Sequence, residues 1–185
     1  MEENKKKKIS TKDMVQIAMF TAVVAVLSQI AIPMPSGVPV TLQTLAVSLC
    51  GYVLGSKKGA VSLLVYALLG AVGAPVFANF KGGLGAIAGP TGGFIWGFIF
   101  MAFLCGLGIE SKHKWLAVVL GIAGVLVCHA CGAAQFAIIK GNGFWSSALL
   151  VSVPYLVKDF VSVIIALGAA ALIRSRIKVT AAANQ

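Results

Sequence analysis

The chain has 185 residues, of which 59% are hydrophobic and 11% charged, and its mean hydropathy is +0.96. A domain of this size has too little interior to hide so much apolar surface, so the composition excludes a soluble globular protein and predicts one integral membrane domain. The formal net charge of +10 does not indicate a nucleic-acid-binding protein, because the basic residues form no patch interleaved with aromatic ones.

Six apolar segments follow one another along the chain, and each is a candidate membrane helix. They are residues 14–32, 40–55, 59–78, 92–109, 115–139 and 150–173. A membrane-spanning helix needs roughly 20 residues, so the short second segment is expected to take residues from the loop before it. We predict an all-α integral membrane protein, a single bundle of six transmembrane helices over 14–178 with tails at 1–13 and 179–185.

The lysines and arginines are distributed unevenly between the two sides of these helices. One side carries Lys5, Lys6, Lys7, Lys8, Lys12, Lys57, Lys58, Lys112, Lys114, Arg174, Arg176 and Lys178, and the other carries Lys81, Lys140 and Lys158. Because loops rich in Lys and Arg stay in the cytoplasm, both termini are predicted to be cytoplasmic, in a multi-pass protein of the bacterial cell membrane. The apolar stretch up to Ile32 is too long for a typical signal peptide, so the first helix is expected to be retained.

Most polar side chains within the helices are expected near the outer surface. With both termini inside, the outer ends of the second and fifth helices carry Thr41, Gln43 and Gln135. Either glutamine is equally suited to hydrogen bonds between helices. The loops richest in proline and glycine, 33–39 and 74–93, also lie outside, and irregular backbone at membrane depth is tolerated only where protein buries it or where it lines a cavity. An outward-facing ligand pocket capped by these two loops is therefore predicted.

Asp159 is the most unusual polar residue of the predicted helices. Pro154 is expected in the first turn of the sixth helix, where proline is tolerated, and this puts Asp159 about 6–8 Å deeper. An aspartate inside a span costs roughly 2.5–3.5 kcal/mol, and such residues are functional by default. Asp159 also suits the positive N-terminal end of its helix. Adjacent helical residues point about 100° apart, so a direct pair with Lys158 is not expected, and a ligand-binding role is predicted.

The stretch KGGLGAIAGPTGGF, residues 81–94, resembles a phosphate-binding loop only in its glycine content. Residues 83–88 match the spacing of a dinucleotide-binding motif, but no βαβ unit precedes them and no acidic residue follows at the required distance. The stretch also lacks the Gly-Lys-Ser/Thr ending of a Walker A loop. We predict instead a loop of small residues that packs its backbone over a ligand.

No catalytic or metal site is expected. Cys128, His129 and Cys131 form at most half of a zinc site, which needs about four ligands. Neither histidine comes with a carboxylate and a nucleophile, since Asp159 is expected at a different depth from His129 and only Glu110 shares a loop with the other histidine. The chain is thus predicted to be neither an enzyme nor a protein with a cofactor, and the cysteines to be small residues of a helix interface.

Two long motifs resemble one known family. PVTLQTLAVSLCGYVLGSKKGAVSLLVYALLGAVGAPVF at 39–77 and GGLGAIAGPTGGFIWGF at 82–98 are similar to the BioY family, the biotin-specific, substrate-binding membrane subunits of energy-coupling factor (ECF) vitamin transporters. A weaker similarity follows at 154–159, where PYLVKD resembles the family's Pro-aromatic-x-x-x-Asp. The resemblance implies a six-helix bundle with a vitamin pocket on the outward side.

The resemblance also implies ligand-binding roles for Gln43, for the loop 82–93 and for Asp159. In the family pattern a lysine commonly follows the aspartate by three residues, where this chain has Ser162. If that lysine holds the ligand, Lys158 or a neutral donor has to replace it here, and the affinity changes accordingly.

Biotin is chemically suited to the predicted residues. Its ureido ring offers two N–H donors and one carbonyl, which an aspartate and an amide side chain can satisfy. Its thioether bicycle suits apolar walls such as Tyr155 and Phe77. Its carboxylate needs donors, for which the candidates are Asn79, the loop around Gly83 and Thr91, or a lysine. Asn79 is equally suited to shaping a turn.

Ala18 and Ala22 on the first helix resemble the Ala-x-x-x-Ala patch by which such subunits dock onto a shared transmembrane coupling protein. Small residues four apart let helices approach closely, although they also serve ordinary packing within a bundle. The resemblance implies that two partner ATPase subunits supply the energy. The alternatives are a subunit for another vitamin, or a small membrane enzyme or channel. The lack of a catalytic pair disfavours the enzyme, and the crowding of polar residues in the outer half disfavours the channel.

Overall fold

A computed structural model describes residues 10–183, with side chains through Arg176. The predicted N-terminal tail at 1–13 therefore lies mostly outside the described residues, as do the last two residues of the tail predicted at 179–185. Where the chain is described, the first helix begins three residues before the predicted boundary at 14, and the last helix continues through residue 183.

The described chain is helical apart from one short hairpin and its loops. The helices are α1 (Thr11–Ser28), α2 (Gln43–Leu54), α3 (Ser56–Ala71), α4 (Leu84–Ala88), α5 (Gly92–Glu110), α6 (Lys114–Lys140), α7 (Phe144–Val151) and α8 (Val153–Ala183), with a single 3₁₀ turn at Ala78–Phe80. Two antiparallel strands of two residues each, β1 (Ala31–Ile32) and β2 (Val40–Thr41), close the loop between α1 and α2.

Several helix ends follow directly from local sequence. Ser10 caps α1 through a capping box with Asp13, which satisfies two backbone donors that the helix cannot pair internally. Gly55, with φ +86°, separates α2 from α3, and the carboxylate of Glu110 accepts hydrogen bonds from the N–H and hydroxyl of Ser56 at 2.8 Å each. Gly141 ends α6 in a left-handed conformation, which glycine adopts without a steric cost.

Four of the described helices are long and apolar enough to cross a membrane. They are Thr11–Ser28, Gly92–Glu110, Lys114–Lys140 and Val153–Arg176. The other two predicted segments contain α2 and α3, of 12 and 16 residues. The expectation that the second helix borrows residues from the preceding loop is wrong, because β2 occupies that position. The count of six spans stays a prediction.

The sixth apolar segment is the main departure from the predicted boundaries. Residues 150 and 151, predicted to open the last helix, belong instead to the separate short helix α7, and Ser152 interrupts the helical backbone before α8. The Ser152 hydroxyl donates to the carbonyl of His129 at 3.4 Å. Since α7 folds back along α6, α8 starts level with the middle of α6 rather than with its end. Pro154 does lie in the first turn of α8, as predicted.

The bundle is polar in places inside and apolar outside. Buried positions include Gln43, Ser48, Ser62, His129 and Asp159, whereas large apolar side chains such as Leu68, Phe100, Leu126, Ile164 and Leu172 are exposed. Exposing such an apolar surface to water is unfavourable, whereas exposing it to lipid is not. Together with the four long apolar helices, this pattern identifies a membrane protein.

Glycines bring α5 and α6, the most extensive helix pair, close together. A Cβ on Gly93 would lie 2.2 Å from the carbonyl oxygen of Cys131, and one on Gly97 would lie 2.7 Å from the Cα of Cys128. The two cysteines thus face glycines across a tight helix contact. Their predicted role as small residues of a helix interface agrees with this packing.

Candidate functional site

A cavity of about 90 Å³ lies between the first turns of α2, α5 and α8 and the middle of α6. A buried water needs roughly 10–15 Å³ by this measure, so the space suits a group of several atoms. We call it the polar cavity; its lining includes Val38, Thr41, Gln43, Phe77, Asn79, Lys81, Thr91, Phe94, His129, Tyr155 and Lys158. Polar groups from three connecting segments and from α2, α6 and α8 therefore converge on one apolar-walled space.

The loop at 33–41, the covering loop, is held over the cavity by one face of α8. The Tyr155 hydroxyl donates to the carbonyl of Val38 at 2.6 Å and lies 2.7 Å from the Ser36 hydroxyl. The Lys158 ammonium donates to the carbonyl of Thr41 at 2.9 Å. Residues 155 and 158 are almost one helical turn apart, so a single stripe of α8 carries all of these contacts.

The segment at 77–81, the cavity turn, presents Asn79 to the same space. Asn79 and Phe80 both have positive φ, +59° and +56°, which is uncommon outside glycine and which asparagine tolerates best. The Phe80 N–H donates to the Gln29 side-chain oxygen at 2.9 Å. Asn79 thus shapes the turn and lines the cavity, so both of its predicted roles are compatible with its position.

A chain of hydrogen bonds fixes the cavity turn from behind. The side chains of Ser28, Gln29 and Tyr66 all donate to the carbonyl of Val76, at 2.7, 3.1 and 3.1 Å. The Gln43 side-chain NH₂ in turn donates to the Tyr66 hydroxyl at 2.7 Å. Gln43 therefore lines the cavity and also belongs to the network that holds the turn.

Asp159 lies behind the cavity wall and is only 4% exposed. One of its carboxylate oxygens is 2.8 Å from Nε2 of His129, and the other forms an ion pair with the ammonium of Lys158. Two expectations are therefore wrong. His129 and Asp159 lie at the same depth, because α7 lets α8 start level with the middle of α6. Lys158 does pair directly with its neighbour, because its long side chain bends back.

The structure brings most of the predicted ligand-binding residues together. Thr41, Gln43, Phe77, Asn79, Thr91 and Tyr155 all line the polar cavity. Gly83 and Gln135 do not belong to its lining. The Gly83 N–H donates to the carbonyl of Gly70 at 2.6 Å, and the Gln135 NH₂ donates to the carbonyls of Ile87 and Gly89 at 2.7 and 2.8 Å. Gln135 therefore ties the glycine-rich loop to α6.

The glycines of the loop 82–93 are explained mainly by close packing. A Cβ on Gly92 would lie 1.7 Å from the carbonyl oxygen of Ile87 and 2.6 Å from the amide nitrogen of Gln135. Only a glycine permits this approach. Ala86 and Thr91 are the residues of the loop that reach the cavity, so the loop covers the ligand space with few of its groups.

His129 and Lys81 line the polar cavity although the sequence interpretation did not place them there. Lys158, which it named only as a replacement for the family's lysine, lines the cavity as well. A histidine inside a membrane helix is itself a signal of function, since ionisable residues are rare at that depth. Because Cys128 and Cys131 flank His129 in the sequence, the histidine was considered as a metal ligand. Among the described residues, no group of three or more His, Cys, Asp and Glu side chains is placed to hold a metal ion.

The opposite end of the bundle has a cavity of about 380 Å³ between α1, the end of α2 and the end of α8. Met19, Phe20 and Leu54 contribute apolar walls, and Lys58 and Arg174 lie at its edge. Arg174 donates to the carbonyl of Tyr52 at 2.9 Å. Although larger, this space lacks the convergence of polar side chains that marks a small-molecule site.

Ala18 and Ala22 are both exposed on α1 and do not belong to the lining of that second cavity. Met14, Val15 and Val26 extend the same helix surface with further exposed apolar side chains. The two alanines therefore do not serve packing within the bundle, which was the alternative interpretation of their spacing.

Comparisons with known proteins agree with the architecture and the motifs. The profile of the BioY family matches residues 3–179. The biotin transporter BioY of Thermotoga maritima is 44% identical over 122 residues, which are 65% of this chain and 72% of that protein. The probable biotin transporter BioY of Pyrococcus horikoshii is 38% identical over 153 residues, 83% of this chain and 90% of that protein.

A solved structure shows the same fold. The crystal structure at 2.1 Å of the S-component for biotin from an ECF-type ABC transporter superposes with a TM-score of 0.78 and covers 95% of both chains, at 24% sequence identity. The fold of the helical bundle is thus shared over almost the whole length. Since the family profile spans nearly every residue and close relatives align over most of their length, the chain belongs to the BioY family.

Proposed function

We propose that this chain is the biotin-binding membrane subunit of an ECF-type vitamin importer and holds its ligand in the polar cavity. The observation that carries the proposal is the convergence of Gln43, Asn79 and Lys158 on one apolar-walled space. The two relatives named above are described as biotin transporters. The chain binds and hands over its ligand, and performs no chemistry on it.

The chemistry of biotin matches the cavity residue by residue. Amide, imidazole and ammonium groups can pair with the ureido ring, which has two N–H donors and one carbonyl. Phe77 and Phe94 offer aromatic walls to the thioether bicycle. Asn79 and Lys81, at the cavity turn, are suited to the carboxylate of biotin. Asp159 lies behind the cavity wall and acts on the ligand through His129 and Lys158, the two side chains that it contacts.

The proposal includes a membrane topology. We place both termini in the cytoplasm, because twelve of the fifteen lysines and arginines then lie on that side. The polar cavity opens to the exterior in this orientation. One domain of six membrane helices, 14–178, is proposed, with α2 and α3 as its two short members, in the bacterial cell membrane.

Partner subunits complete the proposed importer. The exposed alanines of α1 dock onto a transmembrane coupling protein, and two ATPase subunits supply the energy. Replacing both Ala18 and Ala22 by leucine is expected to abolish copurification with a coexpressed coupling protein while leaving biotin affinity within twofold. Ala130→Leu, at an exposed alanine of α6, is the matched control and should retain the complex. Retention by the double variant would disprove this docking surface.

The primary test is titration calorimetry of the detergent-purified chain with biotin, and with thiamine and riboflavin as controls. A Kd below about 1 μM, or roughly −8 kcal/mol, is expected for biotin alone. Asn79→Gly removes the side chain without straining the positive φ and is expected to weaken binding at least tenfold, about 1.4 kcal/mol.

Asn142→Gly serves as the control, because Asn142 is exposed and does not belong to the cavity lining. It should bind biotin as the unmodified chain does. A folded, monodisperse sample that binds no biotin would overturn the proposed function. Binding of one of the other vitamins instead would establish the alternative, a subunit of the same class for a different ligand.

A further inference from the structure

His129 occupies an unusual position for a membrane histidine. It is 7% exposed, lines the polar cavity from α6 and contacts the ring of Phe94 edge-on, with 5.6 Å between the ring centres. Its Nε2 is 2.8 Å from a carboxylate oxygen of Asp159. Its Nδ1 is buried and has no hydrogen-bond partner among the described side chains.

The Asp159 contact determines which imidazole nitrogen carries the proton. An ionised carboxylate only accepts hydrogen bonds, so the nitrogen beside it must donate. Nε2 of His129 therefore holds the hydrogen, and in the neutral ring Nδ1 is left with its lone pair. The ion pair between Asp159 and Lys158 keeps the carboxylate charged and so reinforces this tautomer.

Asp159 itself is not part of the cavity lining. One of its oxygens contacts His129, and the other is ion-paired with Lys158 but accepts no hydrogen bond from a described residue. Its negative charge is therefore felt in the cavity through the two side chains that it holds. Polar groups of a site are commonly oriented in this way by a second layer of hydrogen bonds.

We propose that His129 Nδ1 is the acceptor for an N–H group of the ligand ring, and that Asp159 is a positioning residue that sets the tautomer and orientation of His129. The ligand class is a cyclic urea, whose N–H donates to Nδ1. This inference rests on the proposed function, because it names a specific contact of the same cavity. It makes His129 a specificity-determining residue that rejects rings lacking a donor at that position.

The first test compares three ligands on two proteins. The ligands are biotin and the two N-methylbiotins, each methylated on one ureido nitrogen, and the proteins are the unmodified chain and His129→Ala. With the unmodified chain, one isomer is expected to bind at least tenfold more weakly than biotin. With His129→Ala, biotin itself weakens at least tenfold, and that methylation penalty falls to threefold or less because both the acceptor and the steric clash are gone.

A second cycle separates a positioning role from direct contact for Asp159. If Asp159 acts through His129, Asp159→Asn combined with His129→Ala binds biotin no more than about threefold less tightly than His129→Ala alone. Additive losses would instead mean that the two residues contact the ligand independently. They would overturn the assignment of Asp159.

Histidine-selective ¹⁵N labelling gives a readout that requires no variant. The chain has two histidines, and His113, exposed in the loop before α6, is the internal control. The His129 spectrum is expected to show a protonated Nε2 and an unprotonated Nδ1, and biotin should shift the Nδ1 signal while leaving His113 unchanged. An unresponsive Nδ1, or a proton on Nδ1, would disprove the inference.

The outcomes distinguish the two levels of the proposal. If the folded, unmodified chain does not bind biotin, both the proposed function and this contact are disproved. Normal biotin binding with equal methylation penalties in both proteins leaves the function standing and removes the contact alone. If His129→Ala does not yield folded protein, His129→Phe, which keeps the ring packing on Phe94 without an acceptor, replaces it for biotin, and the labelling experiment decides.

Discussion

The covering loop is held by side chains that themselves line the polar cavity, whereas the cavity turn is held by side chains that lie behind it. Tyr155 and Lys158 of α8 bind the carbonyls of the covering loop. Ser28, Gln29 and Tyr66 of α1 and α3 bind the turn without reaching the cavity. A ligand that contacts α8 therefore competes with the covering loop, while the turn is formed before a ligand arrives.

The largest expected effect comes from breaking the rear support of the cavity turn. Gln29→Ala removes one donor to Val76 and the acceptor of the Phe80 N–H. Each of these two hydrogen bonds is worth about 1 kcal/mol, and the positive-φ turn loses part of its support when both are removed. Biotin affinity is expected to fall about tenfold or more, and the melting temperature to fall by several degrees, as measured by calorimetry and thermal denaturation.

Gln16→Ala is the matched control at the other end of α1, where the Gln16 side-chain oxygen accepts from Lys58 at 3.4 Å. It should leave biotin affinity unchanged. Equal biotin affinity of the Gln29 variant and the unmodified chain would show that the turn does not depend on α1, and the contrast between the two segments would then be lost.

A smaller and kinetically distinct effect is expected at the covering loop. Tyr155→Phe deletes the hydroxyl that binds Val38 and Ser36, and one such bond is worth about 1 kcal/mol. Biotin dissociation should accelerate about fivefold, with little change in melting temperature. Stopped-flow displacement of labelled biotin measures the rate.

Tyr52→Phe provides the comparison for that variant. The Tyr52 hydroxyl donates to the carbonyl of Ala117 at 2.8 Å, towards the opposite end of the bundle. Its loss should lower stability without altering the dissociation rate. If the Tyr155 variant has a lower melting temperature but releases biotin at the normal rate, the covering loop does not control release. It would then be a rigid part of the site, as the cavity turn is.

The sequence was sufficient for the parts of the site that depend on local chemistry. An asparagine that shapes a turn, a proline in a first helical turn and a polar residue near a helix start are recognised from neighbouring residues alone, and Asn79, Pro154 and Gln43 lie accordingly. The grouping of Thr41, Phe77 and Tyr155 also followed from motif and depth together, because all three lie at the same end of the bundle.

The contact between His129 and Asp159 was not predicted, because it depends on a helix boundary that hydropathy does not show. The apolar segment predicted at 150–173 runs across the break at Ser152 between α7 and α8. Pro154 predicted where the last helix starts, but hydropathy did not show that a separate helix precedes it. That break moves Asp159 to the depth of His129 and creates their contact. The hydrogen bonds of Gln135 could not be predicted from the sequence either, because its partners are backbone carbonyls of the loop 82–93.

Helix α1 has a mechanical consequence for the proposed importer, since it joins the proposed docking surface to Gln29, which holds the cavity turn from behind. Eleven residues separate Ala18 from Gln29, about 16 Å along the helix axis. If α1 tilts by about 10° around Ala18 when a partner engages it, Gln29 moves by about 3 Å. Such a displacement equals the length of a hydrogen bond, so a modest rotation at one membrane face is enough to release the turn at the other.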